Sequence, residues 1–172
     1  IIIVAGYPKS GNTWLTRLVA ELVQCPISGF WDSTHHEIAK EGESRESDYV
    51  CYKAHQTYER LKDCEDWSQD CSIIYIIRDP RDVAISGANY FRFYRSLLLY
   101  WFRRHCLPIE RYFYHLIYKP LFASENSRIA RMARVLAFGE DALLSKWCGV
   151  SWREHCKSYS KQGILFVRYE DL

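Results

Sequence analysis

The sequence predicts an α/β fold in which strands and helices alternate around a central parallel sheet. Residues 1–6 and 72–77 form continuous apolar runs, which are typical of strands buried on both faces of a parallel sheet. Each run is followed by a segment with the signals of a helix. This alternation is the pattern of a layered α/β domain, and 172 residues are enough for one such domain with its own core.

The first predicted strand leads into a loop with the spacing of a phosphate-binding turn. Gly6 and Gly11 match the glycines of the nucleoside-triphosphate loop G-x-x-x-x-G-K-[ST], and an amphipathic helix follows from about Asn12. Backbone N–H groups in such a loop, together with the helix N-terminus, form an anion site. Asn12 occupies the usual lysine position, and the lysine lies inside the loop as Lys9. We therefore expect a bound group and a reaction different from those of a kinase or ATPase.

Two alternatives remain open in this segment. A tight strand-to-helix turn without a ligand is possible, although two glycines, a lysine and a hydroxyl pair are more than such a turn requires. Trp14, in the first helical turn, fits either the core or a flat face for a nucleotide base.

The remaining elements are predicted in chain order. The first helix ends near residue 26, and residues 50–53 form a short strand. Asp79 and Pro80 predict the start of a helix, because Asp is a favoured cap and Pro is tolerated at the first helical position. Residues 164–168 are predicted to be the last buried strand.

Residues 91–152 interrupt the alternation. The segment is long, rich in aromatic residues and predicted to be largely helical, between the third and fourth recognisable strands. The simplest interpretation is a helical cap over one edge of the sheet, and part of it is expected to line a substrate pocket.

Composition narrows the classes of function. The net charge of +2 is too small to indicate a nucleic acid partner, and 48% hydrophobic residues exclude a disordered chain. Seven cysteines without a C-x-x-C or zinc spacing indicate reduced thiols, so we expect a cytoplasmic protein. No apolar run reaches transmembrane length. Because the chain has no tails, we expect a single domain of residues 1–172, truncated at its C-terminus.

A second candidate group follows the strand at residues 72–77. Arg78 lies at its carboxyl end, where ligands bind in open α/β sheets. A triphosphate-hydrolysing protein would have an acid there to hold Mg²⁺, whereas a guanidinium suits forked recognition of a phosphate. Ser86, two turns into the next helix, could bind the same phosphate. A surface ion pair between Arg78 and Asp79 or Asp82 is the alternative.

A third candidate group ends the strand at residues 50–53. His55 is placed there to meet a reacting group, beside Lys53, although a lone histidine is often structural. His35 and His36, beside Glu37, indicate a metal only weakly because no third ligand has matching spacing. Three further histidines are interpreted as surface or packing residues: His105, His115 and His155.

Together these motifs resemble the sulfotransferase family, whose members move a sulfuryl group from 3′-phosphoadenosine 5′-phosphosulfate to an alcohol, phenol or amine. Residues 7–14, Y-P-K-S-G-N-T-W, resemble the family's 5′-phosphosulfate loop, and residues 78–86 resemble its 3′-phosphate motif R-[ND]-P-[KR]-D-x-x-x-S. Residues 53–55, K-A-H, resemble the segment with the catalytic histidine. The resemblance covers nearly the whole chain and implies a P-loop NTPase-like three-layer fold.

The resemblance also implies a role for each candidate residue. His55 is expected to accept the proton of a small-molecule or carbohydrate acceptor, Lys9 to neutralise the leaving adenosine 3′,5′-bisphosphate, and Lys53 to hold the sulfuryl oxygens. The remaining residues are expected to bind the donor: Ser10, Gly11, Asn12 and Thr13 at the 5′-phosphate, Trp14 and Tyr169 at the adenine, and Arg78 and Ser86 at the 3′-phosphate. No metal is expected, because lysines supply the positive charge.

The chain departs from the family pattern in two places. The family commonly has a proline shortly after the histidine, and here Gln56-Thr57-Tyr58 follows. The family's glycine-rich basic loop beyond the Tyr-Glu-Asp segment is absent, which favours truncation over a reduced donor site. The alternative functions are a P-loop nucleotide kinase or hydrolase and a non-catalytic nucleotide-binding module of the same fold.

Overall fold

The structure, a computed structural model, describes residues 1–31, 40–64, 67, 70–91, 123–139 and 149–172. Within these residues one sheet contains six strands: β1 (Ile2–Gly6), β2 (Ile27–Phe30), β3 (Lys40–Glu41), β4 (Cys51–Ala54), β5 (Ser72–Ile77) and β6 (Leu165–Arg168). The strand order is β3-β2-β4-β1-β5-β6, and only the β2–β3 pair is antiparallel among them. The predicted α/β fold with a central, mostly parallel sheet is therefore confirmed.

Helices lie on both faces of the sheet. The described α-helices are α1 (Asn12–Val23), α2 (Tyr58–Lys62), α3 (Pro80–Tyr90), α4 (Glu125–Phe138) and α5 (Trp152–Ser160). Leu15 and Val19 of α1 pack with Val4 of β1 on one face. Leu61 of α2 and Tyr159 of α5 belong to the core on the other face. These contacts give the three layers that the sequence predicts.

The predicted element starts agree with the structure where the local signal is strong. The Asp79 side chain accepts the N–H of Arg81, and Pro80 is the first residue of α3. The strands β2 and β3 and the helix α2 were not predicted. β2 has four residues, follows Pro26 and contains Gly29 at a φ of 95°, so it lacks a recognisable strand pattern.

One prediction about burial is wrong. The last strand, β6, forms as predicted but is not buried, because Leu165 is 60% exposed and Phe166 38% exposed. Its position explains the difference, since β6 ends the sheet order and pairs with β5 alone among the described strands.

The predicted helical segment at residues 91–152 is described only in part. Its residues 125–138 form α4, which packs against α3 around Met132 and Val83. Residues 92–122 and 140–148 lie outside the described residues, together with most of the aromatic residues of the predicted cap. The weak metal candidates His35, His36 and Glu37 lie outside them as well. Among the described helices, none combines the length and apolar character needed to cross a membrane.

Candidate functional site

The sheet topology brings the predicted site segments to one edge. Strands β4, β1, β5 and β6 are consecutive neighbours and run parallel, so their carboxyl ends lie side by side. The loop after β1, His55 after β4, Arg78 after β5 and Tyr169 after β6 therefore meet at that edge. Ligands bind at this end of open α/β sheets.

The loop between β1 and α1 has the backbone geometry of an anion-binding turn. Lys9 and Gly11 both have positive φ, 73° and 104°, and the N–H of Ser10 donates to the Tyr7 carbonyl at 3.0 Å. Gly11 caps α1 without a side-chain hydrogen bond to the helix. The Ser10 hydroxyl is buried and has no hydrogen-bond partner among the described residues. A buried donor without a partner is costly, so this loop fits an anion that accepts hydrogen bonds.

The side chain of Asn12, at the position of the lysine in triphosphate loops, forms hydrogen bonds to the protein backbone. Its side-chain N–H groups donate to the carbonyls of Gly6 at 3.3 Å and Ala54 at 3.0 Å, so it joins the ends of β1 and β4. The side-chain oxygen is a hydrogen-bond acceptor, which cannot bind a phosphate oxygen. Any contribution of Asn12 to phosphate binding must therefore come from its backbone N–H.

Arg78 lies between the loop and Tyr169. Its terminal nitrogen Nη1 donates to the Lys9 carbonyl at 3.5 Å, and its central carbon lies 4.0 Å from the centre of the Tyr169 ring. Arg78 Nε is buried without a hydrogen-bond partner in the described part of the chain. The alternative surface ion pair is wrong: Asp79 pairs with Arg81, and Arg78 forms no ion pair with a described carboxylate.

Aromatic rings border the same space. Trp14 is 47% exposed, so the interpretation as a core residue is wrong, and its ring centre lies 6.5 Å from that of Tyr169. The Tyr169 ring covers Gly11 so closely that a Cβ there would come within 2.6 Å of it. Trp14 and Tyr169 therefore offer aromatic surface beside the loop.

His55 faces the start of the loop as a neutral imidazole. Burial lowers the pKa of His55 to about 4, helped by the charges of Lys53 and Lys9 and opposed by the hydrogen bond to Gly6. Its Nδ1 lies 2.9 Å from the Gly6 carbonyl oxygen, which can only accept, so Nδ1 carries the proton. The other nitrogen, Nε2, then carries the lone pair that a general base needs.

Lys53, on β4, is buried two residues before His55. Its ammonium group lies 4.9 Å from the centre of the Phe30 ring, and that ring lies 5.7 Å from the His55 ring. Burial is the main cause that lowers the pKa of Lys53, while Glu41 acts in the opposite direction. Phe30 was not predicted as a site residue, because β2 has no recognisable strand pattern.

Lys9 makes a cation–π contact with an aromatic ring at the end of α3. Its ammonium group lies 3.8 Å from the centre of the Tyr90 ring. Burial and then the charge of Arg78 lower the pKa of Lys9. Tyr90 was not predicted, although it lies four residues after Ser86 and so one helical turn away. Ser86 itself is half-buried in α3 and makes no side-chain hydrogen bond within the described residues.

Comparisons with known proteins identify the family of this chain. The family model described as a sulfotransferase domain matches residues 1–172. This chain belongs to the sulfotransferase domain family. It is similar to cytosolic sulfotransferase 4 of Arabidopsis thaliana, with 28% identity over 178 residues, 95% of this chain and 59% of that protein.

A solved structure shares the fold of this sulfotransferase domain. Mouse sulfotransferase SULT7A1, crystallised in complex with PAP, superposes with a TM-score of 0.53 and 21% identity. The similarity covers 99% of this chain and 51% of the mouse chain. The domain thus spans between half and three-fifths of the length of these two relatives.

Proposed function

We propose that this sulfotransferase domain moves a sulfuryl group from 3′-phosphoadenosine 5′-phosphosulfate to a hydroxyl or amine acceptor. The observation that carries the proposal is the meeting of Lys9, Arg78 and a neutral His55 at one edge of the sheet. Two adjacent cations fit a donor with separate phosphate groups. A neutral imidazole fits the removal of a proton from the acceptor.

The donor fits the polar atoms of the site. Ser10 Oγ and Arg78 Nε are buried donors that lack hydrogen-bond partners among the described residues, and phosphate oxygens would satisfy both. Lys9 and Arg78 are close enough for their charges to interact, yet neither forms an ion pair with a described carboxylate. A bound anion between them would remove this repulsion. Ser10, Gly11, Asn12 and Thr13 would hold the 5′-phosphate, Trp14 and Tyr169 the adenine, and Arg78 and Ser86 the 3′-phosphate.

The side chains have separate chemical tasks in this mechanism. His55 Nε2 accepts a proton from the acceptor while the oxygen or nitrogen atom of the acceptor attacks the sulfur of the donor. Lys9 neutralises charge on the leaving side, and Lys53 holds the sulfuryl oxygens from the acceptor side. The donor, when bound, supplies the sulfuryl group and the bisphosphate leaving group. A positioned base contributes on the order of 10²–10⁴ in rate, and orientation of two reactants about 7–11 kcal/mol.

Asn12 argues against the kinase or hydrolase alternative. Its side chain fills the position of the triphosphate-binding lysine and bonds to Gly6 and Ala54.

We further propose that the acceptor is a small molecule or a carbohydrate, that nucleic acid is not a partner and that no metal is required. A cytoplasmic location is also proposed, supported by the name of the Arabidopsis relative and by the five cysteines of the described residues, which form no disulfide.

Thermal unfolding with ligands tests the proposal. Adenosine 3′,5′-bisphosphate at 100 times its dissociation constant should stabilise the protein by about 2.7 kcal/mol in the presence of EDTA. Stabilisation by ATP with Mg²⁺ but not by the bisphosphate would favour a kinase or hydrolase. Transfer of labelled sulfuryl groups to a panel of phenols, alcohols, amines and sugars then separates an active enzyme from a non-catalytic binding module.

A further inference from the structure

The helix α5 contacts the backbone at three successive places in residues 55–58, which we call the His55 loop and which end at Tyr58, the first residue of α2. A single face of α5 supplies all three partners, although about a hundred residues separate the two segments. The contacts, in loop order, are His155 Nε2 to the His55 carbonyl at 3.1 Å, the Tyr159 hydroxyl to the Gln56 carbonyl at 2.7 Å, and the Tyr58 N–H to Ser158 Oγ at 3.1 Å.

His155 is itself fixed by the core. It is completely buried, and its Nδ1 lies 2.7 Å from the hydroxyl of Tyr75 on β5. Because the His55 carbonyl only accepts, His155 Nε2 carries the proton and Nδ1 accepts from Tyr75. Burial is the main cause that lowers the pKa of His155 to about 4, so this arrangement persists at neutral pH. A neutral histidine thus joins the central sheet to the backbone of His55.

The start of α5 is also firmly set. Ser151 and Glu154 form a capping box, in which each side chain binds the backbone N–H of the other residue. Such caps stabilise a helix by about 1 kcal/mol. The face of α5 that touches the His55 loop therefore belongs to a well-defined helix.

Apart from α5, the side chain of Gln56 restrains this loop: it accepts from the His55 N–H at 3.1 Å and donates to the Trp31 carbonyl at 2.6 Å. Residues 56–58 are Gln-Thr-Tyr, without a proline to restrict the backbone. The ring of His55 is held through Nδ1 by a hydrogen bond to the Gly6 carbonyl. The direction of the imidazole therefore depends on the Gly6 contact and on the position of the loop backbone, which α5 and Gln56 hold together.

We propose that α5 is a positioning element for the base: through His155, Ser158 and Tyr159 it fixes the His55 loop and aims the His55 imidazole. This inference rests on the proposed function of His55, but its effect on the ring is measurable without any reaction. Ser158 and Tyr159 touch neither the ring nor the loop that binds phosphate, and they act through the backbone of residues 56–58.

The test compares the double variant Ser158→Ala/Tyr159→Phe with Ser160→Ala. Ser158 Oγ donates to the His155 carbonyl within α5, and Ser160 Oγ donates to the Lys157 carbonyl in the same way. Ser160→Ala therefore removes the same kind of contact inside the helix without touching the His55 loop. Ser158→Ala alone, a smaller change at a half-buried position, covers the case in which the double variant does not fold.

The first measurement is the ¹⁵N NMR spectrum of the His55 ring in the free protein. The wild type and Ser160→Ala should show the proton on Nδ1 and titrate near pH 4. In the double variant we expect a mixture of the two neutral forms and a pKa of His55 that rises towards 6.5. Ser158→Ala alone should change the ratio of the two neutral forms and the pKa of His55 in the same direction by a smaller amount. An unchanged form and pKa in a folded double variant would overturn the proposal.

The second measurement is sulfuryl transfer. A misdirected base should lower kcat about ten- to a hundredfold in the double variant and leave KM for the donor unchanged. Equal losses in Ser160→Ala would mean that α5 acts only through its own stability and would overturn the positioning role. If the ring changes as expected and the wild type transfers no sulfuryl group, the proposed function fails while the positioning by α5 stands.

Discussion

The guanidinium of Arg78 lies over the ring of Tyr169, with 4.0 Å between its central carbon and the centre of the ring. The two residues directly follow the neighbouring strands β5 and β6, so the contact joins two segments about ninety residues apart. Tyr169 also covers Gly11 in the loop between β1 and α1. We therefore expect donor binding to depend on the correct docking of β6, which lies at the edge of the sheet among the described strands.

Replacing Arg78 by Lys should weaken binding of adenosine 3′,5′-bisphosphate. The ammonium keeps the charge but loses the fork of the guanidinium and its contact with the Tyr169 ring. We expect a loss of about 1.5–3 kcal/mol, the usual range for a hydrogen bond to a charged group. Calorimetry at a fixed salt concentration measures this loss of binding free energy. Arg81→Lys is the matched control, because Arg81 is exposed and pairs with Asp79. Equal weakening in both variants would point to a general charge effect and against a phosphate contact at Arg78.

Replacing Gly11 by Ala should reduce both stability and donor binding. The φ of 104° costs an alanine about 1–2 kcal/mol, and the added methyl group would displace the Tyr169 ring. Gly163→Ala separates the two effects, since Gly163 also has a positive φ but nothing within 4 Å of its Cβ position. Urea unfolding should show a loss in both variants, whereas calorimetry should show weaker bisphosphate binding in Gly11→Ala alone. Normal binding by Gly11→Ala would show that Tyr169 is not needed at the donor site.

The strands β1, β4, β5 and β6 were predictable from the sequence, as was the position of the candidate site residues after them, because each has a local signal. β1 and β5 are unbroken apolar runs, and the glycine loop, Arg78 and His55 follow strands directly. Parallel strands place their carboxyl ends together, so the clustering follows from the strand assignment alone.

The supporting contacts were not predictable, because they depend on long-range packing. His155 was interpreted as a surface or packing residue, and it does pack in the core. Its hydrogen bonds to Tyr75 and to the His55 carbonyl join segments 80 and 100 residues away, which no spacing reveals. The burial of β6 was predicted wrongly for a related reason, since an apolar run does not show whether a strand is central or at an edge.

Replacing His55 by Ala should strongly reduce sulfuryl transfer and leave donor binding intact. The Gly6 carbonyl keeps a partner in Asn12, so the loop should retain its shape. Loss of a general base predicts a fall in kcat on the order of 10²–10⁴. Steady-state rates give the fall, and calorimetry with adenosine 3′,5′-bisphosphate is the control for binding. Wild-type transfer rates in this variant would assign the base to another group.

The stability of the protein should fall as the pH is lowered from about 6.5 to 4. His55 and His155 each have a pKa of about 4 in the folded state, against roughly 6.5 in an unfolded chain. Between these values the unfolded chain binds more protons, so acid favours unfolding. The stabilisation is complete above about pH 6.5 and is lost as the pH falls towards 4; for the buried His155 it is on the order of 3 kcal/mol.

Urea unfolding at a series of pH values, with wild type and His55→Ala side by side, measures the contribution of His55. Every other titrating group is common to both proteins, so the difference between their unfolding free energies isolates His55. The free energy of unfolding of the wild type should decrease, relative to that of His55→Ala, as the pH falls from 6.5 to 4. Only the wild type has a ring at position 55 that folding must keep neutral. Parallel curves would mean that His55 titrates in the folded protein as it does in the unfolded chain. The lone pair on Nε2 would then no longer follow from burial beside Lys53 and Lys9.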